Sequence, residues 1–314
     1  MVVTMHAPLP GSESDGMFLS ALSYLTAPGI GLFFMISGAL LLPVKTDTRT
    51  FLKRRFSKIA IPTLVWSVIF LGITALTSKE PFSWKALLSI PFSAEGNPTF
   101  WFLYTLMGLY LLAPILSHWL NAASRRELEF YLFLWGVGLC YPILRLVLDI
   151  NTSTTGILYY FTGYAGYFVL GHYLKKYPGR IKYKWLIPAV IVAYAAPVVC
   201  KVKGLSVDFY SVFWYLSIFV VIQCVFLWKL IVSLVPEQRW ASVNRVISKI
   251  SVLTFGIYLV HYFILRSLLW NWSPILSIQP YILQVFVIAA AAFVLSLGVT
   301  FLIGKVPGSN VIGY

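Results

Sequence analysis

Two histidines are the residues of this 314-residue sequence best suited to acid–base chemistry. His6 lies near the N-terminus, where its imidazole can take a proton from an alcohol, and general-base help of this kind is worth about 10²–10⁴-fold in rate. The alternative is a histidine at a helix end near a membrane interface. His261 lies inside an apolar segment that also carries Arg266. It either contacts a substrate or packs against a carbonyl of a neighbouring helix.

The other ionisable groups offer less. None of the ten acidic residues lies in the middle of an apolar run, which argues against a proton-coupled pump or an ion exchanger. His118 and His172 stand at the ends of apolar runs, beside Trp119 and Tyr173, where a role at the membrane boundary is the favoured interpretation.

A basic tract over residues 45–58 contains six cations and one acid. Helical spacing places Arg54 and Lys58 on one face, with Arg55 beside them. Arginine suits phosphate oxygens, so these three residues are candidates for holding a phosphorylated ligand. The alternative, which charge alone favours, is a signal for membrane orientation and anionic lipid binding.

Small residues characterise the apolar run 28–44. Ser37 and Gly38 let either a neighbouring helix or a slender ligand approach the backbone closely. Close helix packing is the usual explanation. A narrow channel for a pantetheine arm is the more specific hypothesis.

The elements that position these residues are membrane helices. Hydrophobic residues make up 59% of the chain and charged residues 11%, against about 25% charged in soluble proteins. The mean hydropathy is +0.83. Because the long apolar runs show no alternation, helices rather than a barrel are expected. The sequence predicts an all-α, polytopic helix bundle, one domain over residues 1–314, with nine spans at 28–44, 59–77, 99–117, 128–148, 157–174, 185–200, 211–233, 250–269 and 280–303.

The cations indicate how the chain is oriented across the membrane rather than nucleic-acid binding, because they lie in short tracts between the apolar runs. Most of the 24 Lys and Arg residues fall in alternate loops, which predicts a cytoplasmic C-terminus and an outer N-terminus. This assignment counts Lys79 on the outer side and Arg239 on the cytoplasmic side.

The few apolar residues before His6 look like the last turn of a helix, so we expect a shortened N-terminus and a tenth, upstream span. The three cysteines read as buried apolar residues, and no metal site is expected.

Several stretches together resemble the acyltransferase family 3 membrane proteins. Each is weak alone, and their order and spacing carry the resemblance. They are His6-Ala7, Phe-Phe-Met-Ile-Ser-Gly at 33–38, the loop 51–62, Phe-Trp-Phe-Leu-Tyr at 100–104 with its continuation to 114, and the segments 166–171, 251–261 and 305–308.

The resemblance implies a ten-helix enzyme of the bacterial cytoplasmic membrane. Such enzymes take an acyl group, usually acetyl, from cytoplasmic acyl-CoA and pass it to a hydroxyl of a surface polysaccharide or other glycan, free or lipid-linked. No permanently bound cofactor is implied. The family's catalytic histidine corresponds to His6, and its basic loop corresponds to Arg54, Arg55 and Lys58, with Ser37 and Gly38 along the donor path. This chain departs from the family in lacking most of the first helix, in Lys58 where Arg is common, and in Thr99 where some relatives carry His.

Acceptor-side residues are expected at the outer ends of the spans. Aromatic side chains there suit a sugar and serve equally as an interfacial belt. The supporting candidates are Trp101, Tyr104, Tyr258, His261 and Arg266. The competing function is a polysaccharide exporter or flippase without acyl chemistry, which needs a polar path that spans free of acids do not offer.

Overall fold

The computed structural model describes residues 1–10, 16–77, 83–94, 97–148, 157–205, 207–234 and 241–306. Within those ranges the chain is helical and contains no strand, so the predicted all-α class is confirmed. Lys79, Arg239 and residues 307–314, which entered the predictions above, lie outside the described ranges. The helices are α1 (Val2–Met5), α2 (Gly16–Thr26), α3 (Pro28–Leu41), α4 (Thr48–Thr77), α5 (Trp84–Ser89), α6 (Trp101–Ala122), α7 (Arg125–Gly138), α8 (Tyr141–Leu148), α9 (Ala165–Lys176), α10 (Tyr183–Val202), α11 (Phe209–Val212), α12 (Ile218–Leu234), α13 (Ala241–Ser267), α14 (Ser273–Leu276) and α15 (Tyr281–Ile303).

Six helical segments of the described chain are long and apolar enough to cross a membrane, and a seventh span results if α7 and α8 count as one. The nine predicted spans are therefore not confirmed. The predicted span 128–148 is bent by 42° between α7 and α8. The predicted span 157–174 holds only the 12-residue α9, and α12 has 17 residues. The six segments are Phe18–Leu41, Thr48–Leu76, Pro98–Ala122, Tyr183–Val202, Arg245–Asn271 and Tyr281–Ile303.

The difference between the nine predicted spans and the six or seven candidate spans of the described chain has a physical origin. Hydropathy reports that a stretch is apolar, whereas a ~30 Å hydrocarbon core requires about 20 residues of continuous helix. Within these three stretches the helix either breaks, as between α7 and α8, or begins later than the apolar run does, as in α9 and α12. The chain is a multi-pass helical membrane protein, and the sidedness of its termini stays a prediction.

The contacts divide the chain into two compact units. The first unit comprises residues 1–2, 19–45 and 112–236. Its centre is the packing of α3 on α9, where a glycine of each helix faces the backbone of the other helix. A Cβ atom on Gly38 would lie 1.7 Å from the Phe168 carbonyl oxygen, and one on Gly171 would lie 1.9 Å from that of Met35. Glycine is therefore required at both positions for this close approach.

Basic side chains of α9 satisfy the carbonyl end of α3. His172 Nδ1 lies 3.0 Å from the Leu42 carbonyl oxygen, and Lys175 Nζ donates to the Ala39 carbonyl at 2.8 Å. The last carbonyls of a helix have no partner within the helix and carry partial negative charge. The predicted boundary role of His172 is consistent with this geometry.

The second unit comprises residues 3–18, 46–111 and 237–314. Helix α13 packs along α15 and also contacts α4. Aromatic rings fill the unit's interior around Phe70, whose ring centroid lies 5.7 Å from those of both Phe100 and Phe263. His6, His261 and residues 46–58 of the basic tract belong to this unit.

Candidate active site

His6 and His261 form a hydrogen-bonded pair within the second unit. The Nδ1 atom of His6 lies 3.1 Å from the Nε2 atom of His261, and the rings stack with centroids 5.3 Å apart. His261 is completely buried, whereas His6 is partly exposed. The two residues are 255 positions apart in the chain, so only the fold brings them together.

A backbone carbonyl fixes where the protons of this pair lie. His261 Nδ1 is 2.7 Å from the Tyr258 carbonyl oxygen, and a carbonyl only accepts. His261 therefore carries its proton on Nδ1, and in the neutral ring its Nε2 is the acceptor. His6 must then donate from Nδ1, which leaves its Nε2 unprotonated and able to accept a proton.

The segment around His6 is held by its own hydrogen bonds and ring contacts. Trp270 Nε1 donates to the Ala7 carbonyl at 3.2 Å, and the Leu9 backbone N–H donates to the Tyr281 hydroxyl at 3.3 Å. The Tyr262 ring meets the His6 ring edge-on, with centroids 5.9 Å apart. These contacts position a histidine that lies beyond the last turn of the four-residue α1.

Two of the predicted supporting tyrosines use their hydroxyl protons on the protein backbone. Tyr258 donates to the Thr99 carbonyl, and Tyr104 donates to the Ile90 carbonyl. Tyr258 thus anchors the helix that carries His261, in addition to providing the carbonyl that orients it. Trp101 is partly exposed at the start of α6. Their contacts with an acceptor stay predictions.

A small cavity lies next to the pair, in the same unit. It is lined by Phe70, Asn97, Tyr262, Phe263 and Arg266 among others. The sequence reasoning missed Asn97, although Asn before Pro98 at a helix start is a recognisable capping signal. Its burial to 2% exposed surface is decided by the tertiary structure.

The basic tract forms the start of α4. Arg54 and Lys58 are exposed and Arg55 is partly exposed, and within the described chain none of the three forms an ion pair. The only acid of the tract, Asp47, caps α4 instead, because its Oδ1 accepts from the Thr50 backbone N–H at 2.9 Å. This hydrogen bond lowers the pKa of Asp47. The cations therefore remain available to an anionic ligand or to lipid headgroups.

Ser37 and Gly38 lie in the first unit, and the pantetheine path proposed along them stays a prediction. Ser37 is partly exposed. Gly38 has a structural reason for its size, since its Cα faces the Phe168 backbone. Its identity as glycine therefore does not by itself indicate a ligand channel.

Comparison with known families adds an independent line of support. A family model described as an acyltransferase domain matches residues 1–305. The match covers nearly the whole chain and includes both histidines, the basic tract and the cavity. No curated protein and no solved structure matches the chain significantly.

Proposed function

The chain belongs to acyltransferase family 3, and from this premise we propose that it transfers an acyl group, acetyl in the first instance, from acyl-CoA to a glycan hydroxyl. The observation that carries the proposal is the His6–His261 pair. In this pair the partly exposed His6 has an unprotonated imidazole nitrogen, and a general base needs such a nitrogen within reach of the alcohol.

The proposed reaction is a direct transfer. His6 Nε2 accepts the proton of the acceptor hydroxyl while that oxygen attacks the thioester carbonyl. The new C–O bond forms, the C–S bond breaks, and the leaving CoA thiolate takes the proton back from His6. The products are a glycan ester and CoA. His261 accepts from His6 Nδ1 throughout, so it stabilises the imidazolium that exists between the two proton transfers.

The donor is proposed to bind by its phosphates at Arg54, Arg55 and Lys58. Their positive charge is not neutralised within the described chain, and planar guanidinium groups match phosphate oxygens. In this proposal the basic tract faces the cytoplasm of a bacterial cell, as the positive-inside rule predicts, and the C-terminus lies on the same side. The acceptor glycan, free or lipid-linked, is modified at the opposite side of the cytoplasmic membrane.

The test is acyl transfer by the purified protein in lipid nanodiscs. Acetyl-CoA labelled in the acetyl group is supplied with oligosaccharide acceptors, and both alkali-labile label on the glycan and free CoA thiol are measured. The proposal predicts that the two products appear in equal amounts. His6→Ala should lower both by about 10²–10⁴-fold, because the base is removed.

A matched histidine variant controls for general damage. His118 is exposed, and its Nδ1 lies 2.8 Å from the Pro114 carbonyl oxygen of its own helix. His118→Ala should therefore keep wild-type transfer. Glycan translocation without ester formation would establish the exporter instead, and full activity in His6→Ala would remove the base assignment.

A further inference from the structure

The cavity beside the histidine pair has a volume of about 40 Å³. A buried water needs about 10–15 Å³ by this measure, so the cavity holds roughly three groups of that size. A whole sugar ring does not fit. A carboxylate, which consists of one carbon and two oxygens, does fit.

Asn97 contributes an unused hydrogen-bond donor to the cavity wall. Its Oδ1 accepts from the Thr99 backbone N–H at 3.0 Å and from the Thr99 hydroxyl at 2.7 Å, which fixes the orientation of the amide. The Nδ2 group is buried and has no hydrogen-bond partner among the described residues. Buried donors of native proteins are nearly always satisfied, so this donor is available to an accepting group bound in the cavity.

Arg266 contributes a positive charge to the same wall. Among the described residues no acidic side chain lines the cavity, and Arg266 has no ion pair with any of them. A guanidinium and an amide NH₂ can only donate. The complementary group is therefore one that only accepts and that carries negative charge.

The cavity adjoins the base through one side chain. Tyr262 lines the cavity, and its ring also contacts the His6 ring edge-on. A group bound in the cavity would thus lie one aromatic ring away from His6. This separation suits two substituents of the same sugar, one held in the cavity and one reacting at His6.

We propose that this cavity is an acceptor subsite that recognises a carboxylate of an acidic glycan, through Arg266 and the Asn97 amide. The inference rests on the proposed acyl transfer and specifies its acceptor class. Acidic sugars such as uronic acids carry the carboxylate on the ring that also carries the acylated hydroxyl.

The test compares two oligosaccharides that differ only by a glucuronate in place of a glucose. The wild-type protein in nanodiscs should acylate the glucuronate form with a kcat/KM about 10- to 100-fold higher. Arg266→Gln should abolish this preference by raising the KM for the acidic acceptor about 10-fold or more, with the KM for acetyl-CoA unchanged. Asn97→Asp should do the same, because aspartate keeps the cap on Thr99 and replaces only the donor NH₂.

Arg145→Gln is the matched control. Arg145 is also an exposed arginine in the last turn of an apolar helix, but it lies in the first unit and outside this cavity. It should keep the acceptor preference. If Arg266→Gln lowers transfer to both oligosaccharides equally, as a lipid-anchoring arginine would, the subsite is refuted. A glucose-phosphate acceptor that outcompetes the glucuronate form would refute the carboxylate assignment.

Binding of the glucuronate oligosaccharide without acetyl-CoA separates this inference from the proposed function. Calorimetry on the nanodisc protein should show tighter binding of the acidic than of the neutral form, and Arg266→Gln should remove the difference. Selective binding without any transfer refutes the acyl transfer and supports the subsite. Acyl transfer without a preference for the acidic form would support the acyl transfer and refute the subsite.

Discussion

Replacing His261 with leucine should lower acyl transfer by about 10- to 100-fold while leaving the base in place. In the ground state His6 Nδ1 donates a neutral hydrogen bond to His261, worth about 0.5–1.5 kcal/mol. Once His6 holds the substrate proton the same bond becomes charge-assisted and is worth about 1.5–3 kcal/mol. The strengthening of about 1–1.5 kcal/mol corresponds to about 5- to 12-fold in rate. The rest of the expected 10- to 100-fold loss comes from His6 rings that have rotated or that carry their proton on the wrong nitrogen.

The variant His261→Gln tests whether a hydrogen-bond acceptor without an imidazole ring is enough to support His6. The amide oxygen of glutamine accepts but needs no particular tautomer, so it can receive the His6 Nδ1 proton. This variant should be several-fold more active than His261→Leu. The activities of the two variants are measured as initial rates of ester formation at saturating acetyl-CoA and acceptor. The thermal midpoints of the nanodisc proteins are compared first, so that a loss of folding is not mistaken for a loss of activity.

The double variant provides the decisive comparison. Because His261 is proposed to act through His6, His261→Leu should change the residual rate of His6→Ala by less than about 3-fold. A full 10- to 100-fold loss in that background would mean that His261 contacts substrate independently. Unchanged activity of His261→Leu alone would refute the proton arrangement derived from the Tyr258 carbonyl.

Two further predictions concern helix packing and the donor. Gly38→Ala should lower the stability of the protein by about 1–3 kcal/mol or prevent folding, because the new methyl group would overlap a carbonyl of the facing helix. Gly72→Ala, also within a helix but with open space around it, should be neutral or raise the thermal midpoint. Arg54→Gln with Arg55→Gln should raise the KM for acetyl-CoA about 5- to 30-fold, less at high salt, since two solvent-screened contacts of about 0.5–1 kcal/mol each are lost. Arg126→Gln, which removes a different exposed cation, should not, and an equal effect would indicate nonspecific electrostatics.

The sequence by itself determined the class of this protein. A chain with so few charges and such long apolar runs must satisfy its backbone within helices, so the all-α membrane class follows from composition and periodicity. Because ionisable groups are scarce in the apolar runs, residue type alone identified His6 and His261 as candidates. Residue type was informative there because a histidine in an apolar segment is costly.

The number of spans could not be read from the same signal. Whether an apolar run is one straight helix depends on where the backbone breaks, and this is decided by packing. The bend between α7 and α8 and the short α9 lie within runs that hydropathy treats as continuous.

Only the tertiary structure decided the chemistry of the candidate site. The pairing of His6 with His261 joins residues 255 positions apart, and the Tyr258 carbonyl then fixes the proton on each ring. In the same way Asn97 becomes informative only through its burial, because an amide with one satisfied and one unsatisfied end is defined by its neighbours. Sequence specifies which groups are present, whereas hydrogen bonding between distant segments specifies which nitrogen donates and which accepts.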